Sequence, residues 1–535
     1  MKKNLYKLPL IYFVTLAFLG CGSTDIISTP IENIDNTPTK FNDLTDVEER
    51  SWGHLDLVKD TIPGMSLQKA YNELIKSRKG KTVIVAVIDS GIDTKHEDLD
   101  DVIWVNSKEV PNNGKDDDGN GYVDDIHGWN FLGDTYNEQF EYVRLLVSGN
   151  KNHPRYTDAE TEYSKENQKY GQMKMQYEMI LNQIIESDKA VAEHLKKEVY
   201  TKEEVYAIET ADPTLMQHVS IIKQTYGFEL GSVAETKKLL NKDLDQIKQF
   251  TDVYLNKGLK GRKTEDDPND FSQTFYGNGN VNPAVKDESH GTHVAGIIAA
   301  ERNNGLGVNG VANNVRIMSL RTVPNGDEYD KDVALAIRYA VDNGAKIINA
   351  SFGKYYSLHS DKVKDALIYA SDNDVLFVCG AGNESFNLDK KLSFPNDYGE
   401  NGTEITNTFL SVGATEPKYG ANVVASYSNY GKKNVDVFAP GSSIYSTYPE
   451  SQYEFSDGTS MAAPSVTGVA ALIRSYYPKL TAAQVKQIIM QSGLPLKTTV
   501  LIPGSSSAKP FVELSKSGRL VNAYNALILA NKISK

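Results

Sequence analysis

The chain has 535 residues, of which 40% are hydrophobic and 24% are charged, and its formal net charge is −13. A chain of this length can form one large domain with an insertion, or two domains. The acidic balance argues against nucleic acid as a partner and favours a soluble chain. The two cysteines, Cys21 and Cys379, are too few for a disulfide framework.

The first 21 residues have the pattern of an export signal. Two lysines precede the apolar run 8–19, which is too short to span a bilayer comfortably. Residues 18–21 (FLGC) resemble a bacterial lipoprotein cleavage box, with Cys21 as the lipidated residue. We therefore predict a lipid-anchored protein of the bacterial cell envelope, facing the periplasm or the cell surface. An ordinary secretory signal with an incidental cysteine is the alternative.

Residues 22–50 are rich in Thr, Asn, Asp and Ser, a composition that favours a flexible tether over a packed core. Apolar residues return from Trp52 onward, so we expect the folded part to begin at residue 51. The stretch 66–74 is predicted to form a helix before the first strand.

The first predicted strand is the continuous apolar run 83–88 (VIVAVI), which is followed by residues 89–91 (DSG). Runs that are apolar on both faces are typical of strands buried in parallel sheets. Open α/β sheets place their functional sites at the carboxyl ends of the strands. Asp89 is therefore a candidate catalytic acid.

An acidic loop follows at residues 113–125 (NGKDDDGNGYVDD). Oxygen-bearing side chains alternate along it and its glycines permit a sharp turn, a pattern that suits a hard cation. Carboxylates crowded this closely repel one another without a cation. Asp116, Asp118, Asn120 and Asp124 have EF-hand-like spacing without the terminal glutamate, so we predict a calcium site. A solvated acidic turn is the alternative.

Residues 140–270 are predicted to form an α-helical insertion. Apolar residues recur at helical spacing in 170–184 and in 240–247, and Thr201 with Glu204 has the pattern of a capping box. Because the insertion lies between Asp89 and the next motif, we expect it to emerge near the rim of the active site. It is either a lid that gates substrates or an ornament on the surface.

Residues 290–296 (HGTHVAG) open another apolar helical run and place His290 and His293 one turn apart. Strands and helices alternate after them. The predicted strands are 315–320, 345–350, 375–378 and 409–412, and the predicted helices are 331–343 and 361–371. Such alternation builds a parallel sheet with helices on both faces, so the predicted fold class is α/β. His293 is expected to be structural.

The heptapeptide 458–464 (GTSMAAP) opens the apolar run 466–473, whose spacing suits a buried helix. Ser460 would then lie in the first turn, where unpaired backbone N–H groups and the positive end of the dipole stabilise negative charge. Pro464 is tolerated near a helix start. Ser460 is therefore a candidate nucleophile, and a capped core helix with small residues is the alternative.

The residues DSG, HGTHVAG and GTSMAAP, in this order along the chain, resemble the three motifs of the subtilisin-family serine proteases, the subtilases. This resemblance implies a subtilisin-like parallel sheet with helices on both faces, interrupted by the α-helical insertion. It also implies a serine endopeptidase that works through an acyl-enzyme intermediate. Ser460 would be the nucleophile, His290 the base and Asp89 the residue that orients His290.

Further residues match the family's motifs. Residues 380–383 (GAGN) resemble the oxyanion motif, so Asn383 is expected to donate to the oxyanion, with Gly382 beside it in the substrate-binding set. The segment that pairs with the substrate backbone in subtilases is matched by Ser351, Phe352 and Gly353.

The resemblance implies a second calcium site. Residues 303–308 (NNGLGV) resemble the loop that holds calcium in subtilisin, and Asp98 matches the carboxylate ligand. Side-chain oxygens of Asp98 and Asn304 and backbone carbonyls of Leu306 and Val308 would surround the ion. A tight Asn-Gly turn is the alternative.

The predicted organisation is a signal peptide at 1–21, a tether at 22–50, a protease domain at 51–139 and 271–535, and the insertion at 140–270. The predicted partners are protein or peptide substrates and a membrane, and the chain is expected to be monomeric. A catalytically silent subtilase fold used as a binding or scaffold protein is the alternative function, and it would be expected to lack at least one catalytic residue.

Overall fold

The structure, a computed structural model, describes residues 28–34, 37–227, 231–399 and 401–535. The described α-helices are α1 (Asp46–Ser51), α2 (Leu57–Asp60), α3 (Leu67–Ala70), α4 (Glu141–Ser148), α5 (Tyr156–Leu195), α6 (Lys202–Tyr206), α7 (Pro213–Tyr226), α8 (Val233–Lys248), α9 (His290–Ala299), α10 (Asp330–Asp342), α11 (Ser360–Asp372), α12 (Thr459–Tyr476), α13 (Ala482–Ser492) and α14 (Ala523–Ile533). The described strands are β1 (Val83–Asp89), β2 (Gly128–Asn130), β3 (Val315–Arg321), β4 (Ile347–Ala350), β5 (Leu376–Gly380), β6 (Phe409–Thr415), β7 (Val437–Pro440), β8 (Ile444–Tyr448), β9 (Gln452–Ser456), β10 (Leu494–Pro495), β11 (Thr499–Leu501), β12 (Ala508–Pro510) and β13 (Arg519–Leu520).

Nine strands form one sheet in the order β10-β13-β7-β6-β5-β4-β1-β3-β2. Neighbouring strands pair in parallel, apart from the antiparallel pair of β10 and β13 at one edge. From β1 the chain runs to β2 at one edge, returns to β3 beside β1, and then enters β4 on the other side of β1. This change of direction leaves a crevice at the carboxyl end of β1, where ligands bind in open α/β sheets. The predicted α/β fold class is confirmed.

Both faces of the sheet are covered, because successive side chains of β1 point to opposite faces. Val85 and Val87 belong to a core cluster shared with α9 and α12, whereas Ala86 and Ile88 belong to a second cluster shared with α10 and α11. Each of these four side chains is at most 1% exposed. The predicted strand was therefore apolar along its whole length because it is buried on both faces.

The insertion consists of α4 to α8, and α5 runs for 40 residues. A small core of its own includes Ile184, Ile222 and Val233. A second cluster joins α4 and α5 to the protease body and contains Tyr142 and Tyr356, whose ring centroids are 5.4 Å apart. The predicted helical character is present. One end of the insertion packs on the body, whereas the core shared by α5 to α8 consists of residues of the insertion alone.

The segment expected to be a flexible tether is folded where the structure describes it. Ile34 is 1% exposed within a core cluster. The backbone N–H of Ile31 donates to Asn525 Oδ1 at 2.7 Å, and Thr45 caps α1. The polar composition of this segment predicted a tether. Composition does not show that Ile31 and Ile34 contact residues near the C-terminal end of the chain.

The predicted signal peptide and Cys21 lie outside the described residues. In the part of the chain that is described, no helix combines the length and the apolar character needed to cross a bilayer. The lipid anchor stays a prediction.

Candidate active site

The carboxyl end of β1 brings an acid and a base together. Asp89 is the last residue of β1 and is 1% exposed, and one of its oxygens accepts a hydrogen bond from the backbone N–H of Ser90 at 2.8 Å. His290 is the first residue of α9, and its Nδ1 lies 2.7 Å from the same Asp89 oxygen. This contact fixes the imidazole ring and leaves Nε2 for other partners.

The pKa of His290 reflects two opposing effects. Burial lowers the pKa, but the negative charge of Asp89 and its hydrogen bond outweigh burial, so that the pKa is raised above its ordinary value. His293 behaves differently, because burial lowers its pKa to about 4 and its Nε2 lies 3.1 Å from the backbone oxygens of Ile444 and Glu454. A neutral histidine that bonds two carbonyls has the structural role predicted for it.

Ser460 is the second residue of α12 and follows Gly458, whose φ is 150°. The Ser460 hydroxyl donates to the backbone oxygen of Ser351 at 3.0 Å. Across the described residues no hydrogen bond joins Ser460 to His290. Transfer of the serine proton to His290 therefore requires the hydroxyl to rotate, and hydrogen bonds of this kind commonly tighten only when a substrate is bound.

Two N–H donors lie near one point beside Ser460. A Cβ added to Gly458 would lie 3.5 Å from both Asn383 Nδ2 and the Ser460 backbone N, so both nitrogens are in contact distance of this open point. The Asn383 side chain is held by Thr459, whose backbone N–H and hydroxyl donate to Asn383 Oδ1 at 2.9 and 3.1 Å. This arrangement directs Nδ2 towards the open point, where it can stabilise an oxyanion.

The predicted substrate-binding residues lie around the same opening. Ser351 follows β4 directly, and its hydroxyl donates to the backbone oxygen of Ser460 at 2.8 Å. Phe352 packs partly buried against the cluster that covers one face of the sheet. Gly353 is close to another loop, since a Cβ there would lie 3.2 Å from Phe394 O.

Gly382 lies on the other wall of the opening. Its φ is 100°, and an added Cβ would lie 2.4 Å from Asn429 Nδ2. A side chain at this position would therefore be both strained and blocked. The structure thus brings all four predicted substrate-binding residues and all four predicted catalytic residues to one end of the sheet.

The acidic loop gathers a set of carboxylates that differs from the predicted one. Oxygens of Glu109, Asp116 and Asp118 lie within 4.8 Å of one another. The Asp124 carboxylate instead accepts the backbone N–H groups of Asn113 and Gly114 at 3.1 and 2.9 Å. Asp124 therefore binds the backbone at the start of the loop. Glu109, and not Asp124, is the third carboxylate beside Asp116 and Asp118.

Asn120 is also engaged within the loop. Its Oδ1 accepts the Tyr122 N–H at 2.8 Å, and its Nδ2 donates to the buried Asp125 at 2.9 Å. Glu109 is 6% exposed and its Oε2 is a buried oxygen without a hydrogen-bond partner in the described chain. An unpaired buried carboxylate oxygen facing two further carboxylates fits a hard cation.

The residues of the second predicted calcium site lie close together. Asp98 is fully buried, and its two oxygens accept from Asn304 Nδ2 at 2.7 Å and from the Val308 backbone N–H at 3.1 Å. Asn304 Oδ1 accepts the backbone N–H of Leu306 at 2.9 Å. The residues of the second predicted site therefore come together as predicted, and hydrogen bonds join them.

Two residues near the oxyanion point, Tyr355 and Asn429, were not found from the sequence. The Glu384 carboxylate accepts the Asn383 backbone N–H at 2.9 Å and is bonded by the Tyr355 hydroxyl, which in turn accepts from Asn429 Nδ2 at 2.9 Å. Tyr355, Glu384 and Asn429 lie far apart in the chain, so no local spacing could reveal that they meet.

Comparisons with known proteins agree with this geometry. A family model described as "Subtilase family" matches residues 80–509. The "Thermophilic serine proteinase" of Bacillus sp. (strain AK1) is 43% identical over 188 residues, which are 35% of this chain and 43% of that protein. The "Cell wall-associated protease" of Bacillus subtilis (strain 168) is 36% identical over 42% of this chain and 23% of that protein.

Two further proteins are similar. "Subtilisin DY" of Bacillus licheniformis is 37% identical over 37% of this chain and 67% of that protein. A solved protease structure from Pseudoalteromonas arctica PAMC 21717 matches 90% of this chain and 97% of that chain, at 21% identity and a TM-score of 0.46. The chain spans less than half the length of the first two relatives.

Proposed function

The chain belongs to the subtilase family, and from that premise we propose that it is a serine endopeptidase with Ser460 as its nucleophile. The observation that carries the proposal is the 2.7 Å hydrogen bond between His290 and Asp89 at the carboxyl end of β1. Ser460 and its two oxyanion donors lie at the same end of the sheet, so that acid, base, nucleophile and charge stabilisation are present together.

In the proposed reaction Ser460 Oγ attacks the scissile carbonyl carbon while His290 Nε2 accepts the hydroxyl proton. Asp89 stabilises the imidazolium that forms. The N–H groups of Asn383 Nδ2 and of the Ser460 backbone donate to the tetrahedral oxyanion. The C–N bond then breaks, the amine leaves with the proton from His290, and an acyl ester on Ser460 remains. His290 next deprotonates a water molecule, which releases the acid and restores Ser460.

The alternative of a silent scaffold receives no support from the site, because all four expected catalytic side chains are present and are positioned around one opening. An esterase would use the same groups. The segment 351–353 favours an extended peptide, because it follows β4 directly at the carboxyl edge of the sheet, where a substrate strand could pair with it. The Gly-x-Ser-x-Gly elbow of α/β-hydrolases is also missing around Ser460.

We propose that calcium binds the acidic loop through Glu109, Asp116 and Asp118. The ion would neutralise carboxylates that otherwise repel one another, and so hold the loop against the sheet. The loop is tied to the body because Tyr339 donates to the buried Asp125 at 2.5 Å. Calcium at Asp98 and Asn304 stays a prediction that rests on the family resemblance.

We also propose that the protein is exported and lipid-anchored through Cys21, with protein or peptide substrates outside the cytoplasm. The apolar run 8–19 and the box at 18–21 support this proposal. Mass spectrometry of the membrane fraction would test it, because a diacylglyceryl group on Cys21 is expected. A soluble chain cleaved at another residue would contradict the anchor.

The proposed activity is tested by labelling with a fluorophosphonate probe, which reacts with activated serines. The protein is expected to be labelled, and Ser460→Ala is expected to lose the label while it keeps the same melting temperature. Ser475→Ala, which removes a hydroxyl in the last turn of the same helix, where it accepts a hydrogen bond from Asn314, serves as the matched control and should keep the label. If folded protein were not labelled, the scaffold alternative would replace the protease.

A further inference from the structure

The helical insertion is attached to the chain segment that follows the substrate-binding edge. We infer that the insertion fixes the position of this edge, residues 351–353, and that Arg155 is the positioning residue through which it acts. The inference rests on the proposed function, because residues 351–353 matter only if a peptide pairs with them. It assigns the insertion a role in peptide recognition rather than in the chemical step.

Arg155 provides the first link. It lies directly before α5, and its guanidinium donates to the backbone oxygen of Tyr355 at 2.6 Å. The guanidinium carbon also lies 3.9 Å from the centre of the Tyr356 ring. A charged donor and a cation–π contact therefore hold two consecutive residues, only two positions beyond Gly353.

Tyr355 carries this link to the opposite wall of the opening. Its hydroxyl is bonded to Glu384, and Glu384 accepts the Asn383 backbone N–H at 2.9 Å. Tyr355 therefore lies between the insertion on one side and the oxyanion loop on the other. Its position sets the distance between the two walls that enclose a substrate.

A buried charge cluster provides the second link. Lys354, next to Gly353, lies 3.4 Å from Glu141 and 2.9 Å from Asp330. Glu141 begins α4 and also pairs with Arg144, whose guanidinium donates to the backbone oxygen of Glu328 at 3.0 Å. The insertion thus holds Lys354 by charge and holds the neighbouring loop by hydrogen bonds.

This cluster attaches α4 to the segment that follows Gly353. The side chains of Glu141, Arg144 and Lys354 are 3%, 9% and 2% exposed. If α4 lifted away, the Lys354–Glu141 pair and the hydrogen bond from Arg144 to Glu328 would break, while Lys354 would stay paired with Asp330 and Glu141 with Arg144. Breaking buried polar contacts is unfavourable, so we take α4 to support the wall, whereas a gating role for the rest of the insertion stays a prediction.

Arg155→Ala tests the inference with two substrates. One is a peptide that extends four residues on the acyl side of the cleaved bond, and the other is a single-residue ester, which lies beside Ser351 when it reacts with Ser460 but does not extend along residues 352–353. The variant is expected to lose about tenfold in kcat/KM for the long peptide, because a charge-assisted hydrogen bond is removed, and to stay within about twofold for the short ester. Arg155→Lys, which keeps the charge, should recover part of the loss.

Lys174→Ala is the matched control, because Lys174 also lies in α5 but pairs with Asp252 at 2.7 Å, within the insertion. It should leave both substrates within about twofold of wild type. Equal losses on both substrates in Arg155→Ala, or no loss on either, would overturn the inference. Fluorophosphonate labelling of each variant separates this result from the proposed function: an unlabelled wild type refutes the protease itself, whereas labelled variants with equal kinetics refute only the positioning role.

Discussion

At the scale of single residues, the charge and the hydrogen bond of Asp89 raise the pKa of His290. The pH dependence of activity can therefore test whether the two residues act together. His290 must be neutral to accept the serine proton, so activity is expected to rise with pH through the pKa of His290. The Asp89 carboxylate stabilises the protonated ring, and it is therefore responsible for the position of the acidic limb of the pH profile.

Asp89→Asn removes this charge while it keeps the shape of the side chain. The pKa of His290 should fall, because only burial then acts on it, and the acidic limb of kcat/KM should move to lower pH. The maximal rate should fall about 10⁴-fold, because the ring is no longer held and stabilised as an imidazolium. A rate profile from pH 4 to pH 10 measures both effects.

Asp93→Asn is the control for this profile. Asp93 lies four residues further along the chain, and its carboxylate accepts the backbone N–H groups of Lys95 and Glu450. Its removal should leave the acidic limb in place. If the limb stayed fixed in Asp89→Asn as well, a group other than His290 would be the base.

At the scale of elements, variants of the acidic loop can test which residues bind calcium: the set that contains Glu109 or the set that contains Asp124. Glu109→Gln should abolish most of the stabilisation that calcium gives, since it removes the buried carboxylate that faces the ion. At a calcium concentration about 100 times Kd, the wild-type stabilisation is expected to be about 2.7 kcal/mol. Thermal melting with calcium and with chelator measures it, in an Asp98→Asn background that removes the other predicted site.

Asp124→Asn is the matched control in the same loop. Its carboxylate caps two backbone amides, and an amide oxygen can retain one of these bonds. The calcium-dependent rise in melting temperature should therefore persist in Asp124→Asn. If this variant lost the rise and Glu109→Gln kept it, the ligand set predicted from EF-hand-like spacing would be the correct one.

At the scale of the whole molecule, a buried acid makes stability depend on pH. Asp397 is 3% exposed, and burial raises its pKa from 3.8 to about 7, although the charge of Lys486 acts in the opposite direction. The folded protein therefore binds this proton more tightly than the unfolded chain. Between about pH 4 and pH 7 the unfolded chain has released the proton and the folded protein retains it, so the free energy of unfolding falls as pH rises through this range.

Asp397→Asn should remove the fall in the free energy of unfolding that occurs as the pH rises from about 4 to 7. Its free energy of unfolding is expected to exceed that of wild type by about 1–3 kcal/mol at pH 8 and to differ little at pH 4. Denaturant unfolding at the two pH values measures the difference. Asp372→Asn, at an exposed position, is the control and should show no such pH-dependent gain. An Asp397→Asn protein that is less stable than wild type at pH 8 would mean that the charge of Asp397 is needed beside Lys486.

Five strands of the sheet, β1, β3, β4, β5 and β6, and the residues at the carboxyl end of β1 could be predicted from the sequence, whereas the other strands and the strand order could not. The predicted features are encoded locally, because buried strands are continuously apolar and the motifs around Asp89, His290 and Ser460 are short. The four catalytic candidates therefore needed no information about distant contacts, and the structure brings them together at one end of the sheet.

Only the tertiary structure decided which distant side chains meet. Glu109 joins Asp116 and Asp118, Arg155 reaches Tyr355, and Ile34 packs against the body, although nothing in their local sequence indicates these partners. The physical reason is that such contacts depend on how elements far apart in the chain are placed by the packed core. The periodicity of apolar residues predicts which face of a helix or strand a side chain lies on, but it does not predict which residues of other elements pack against that face.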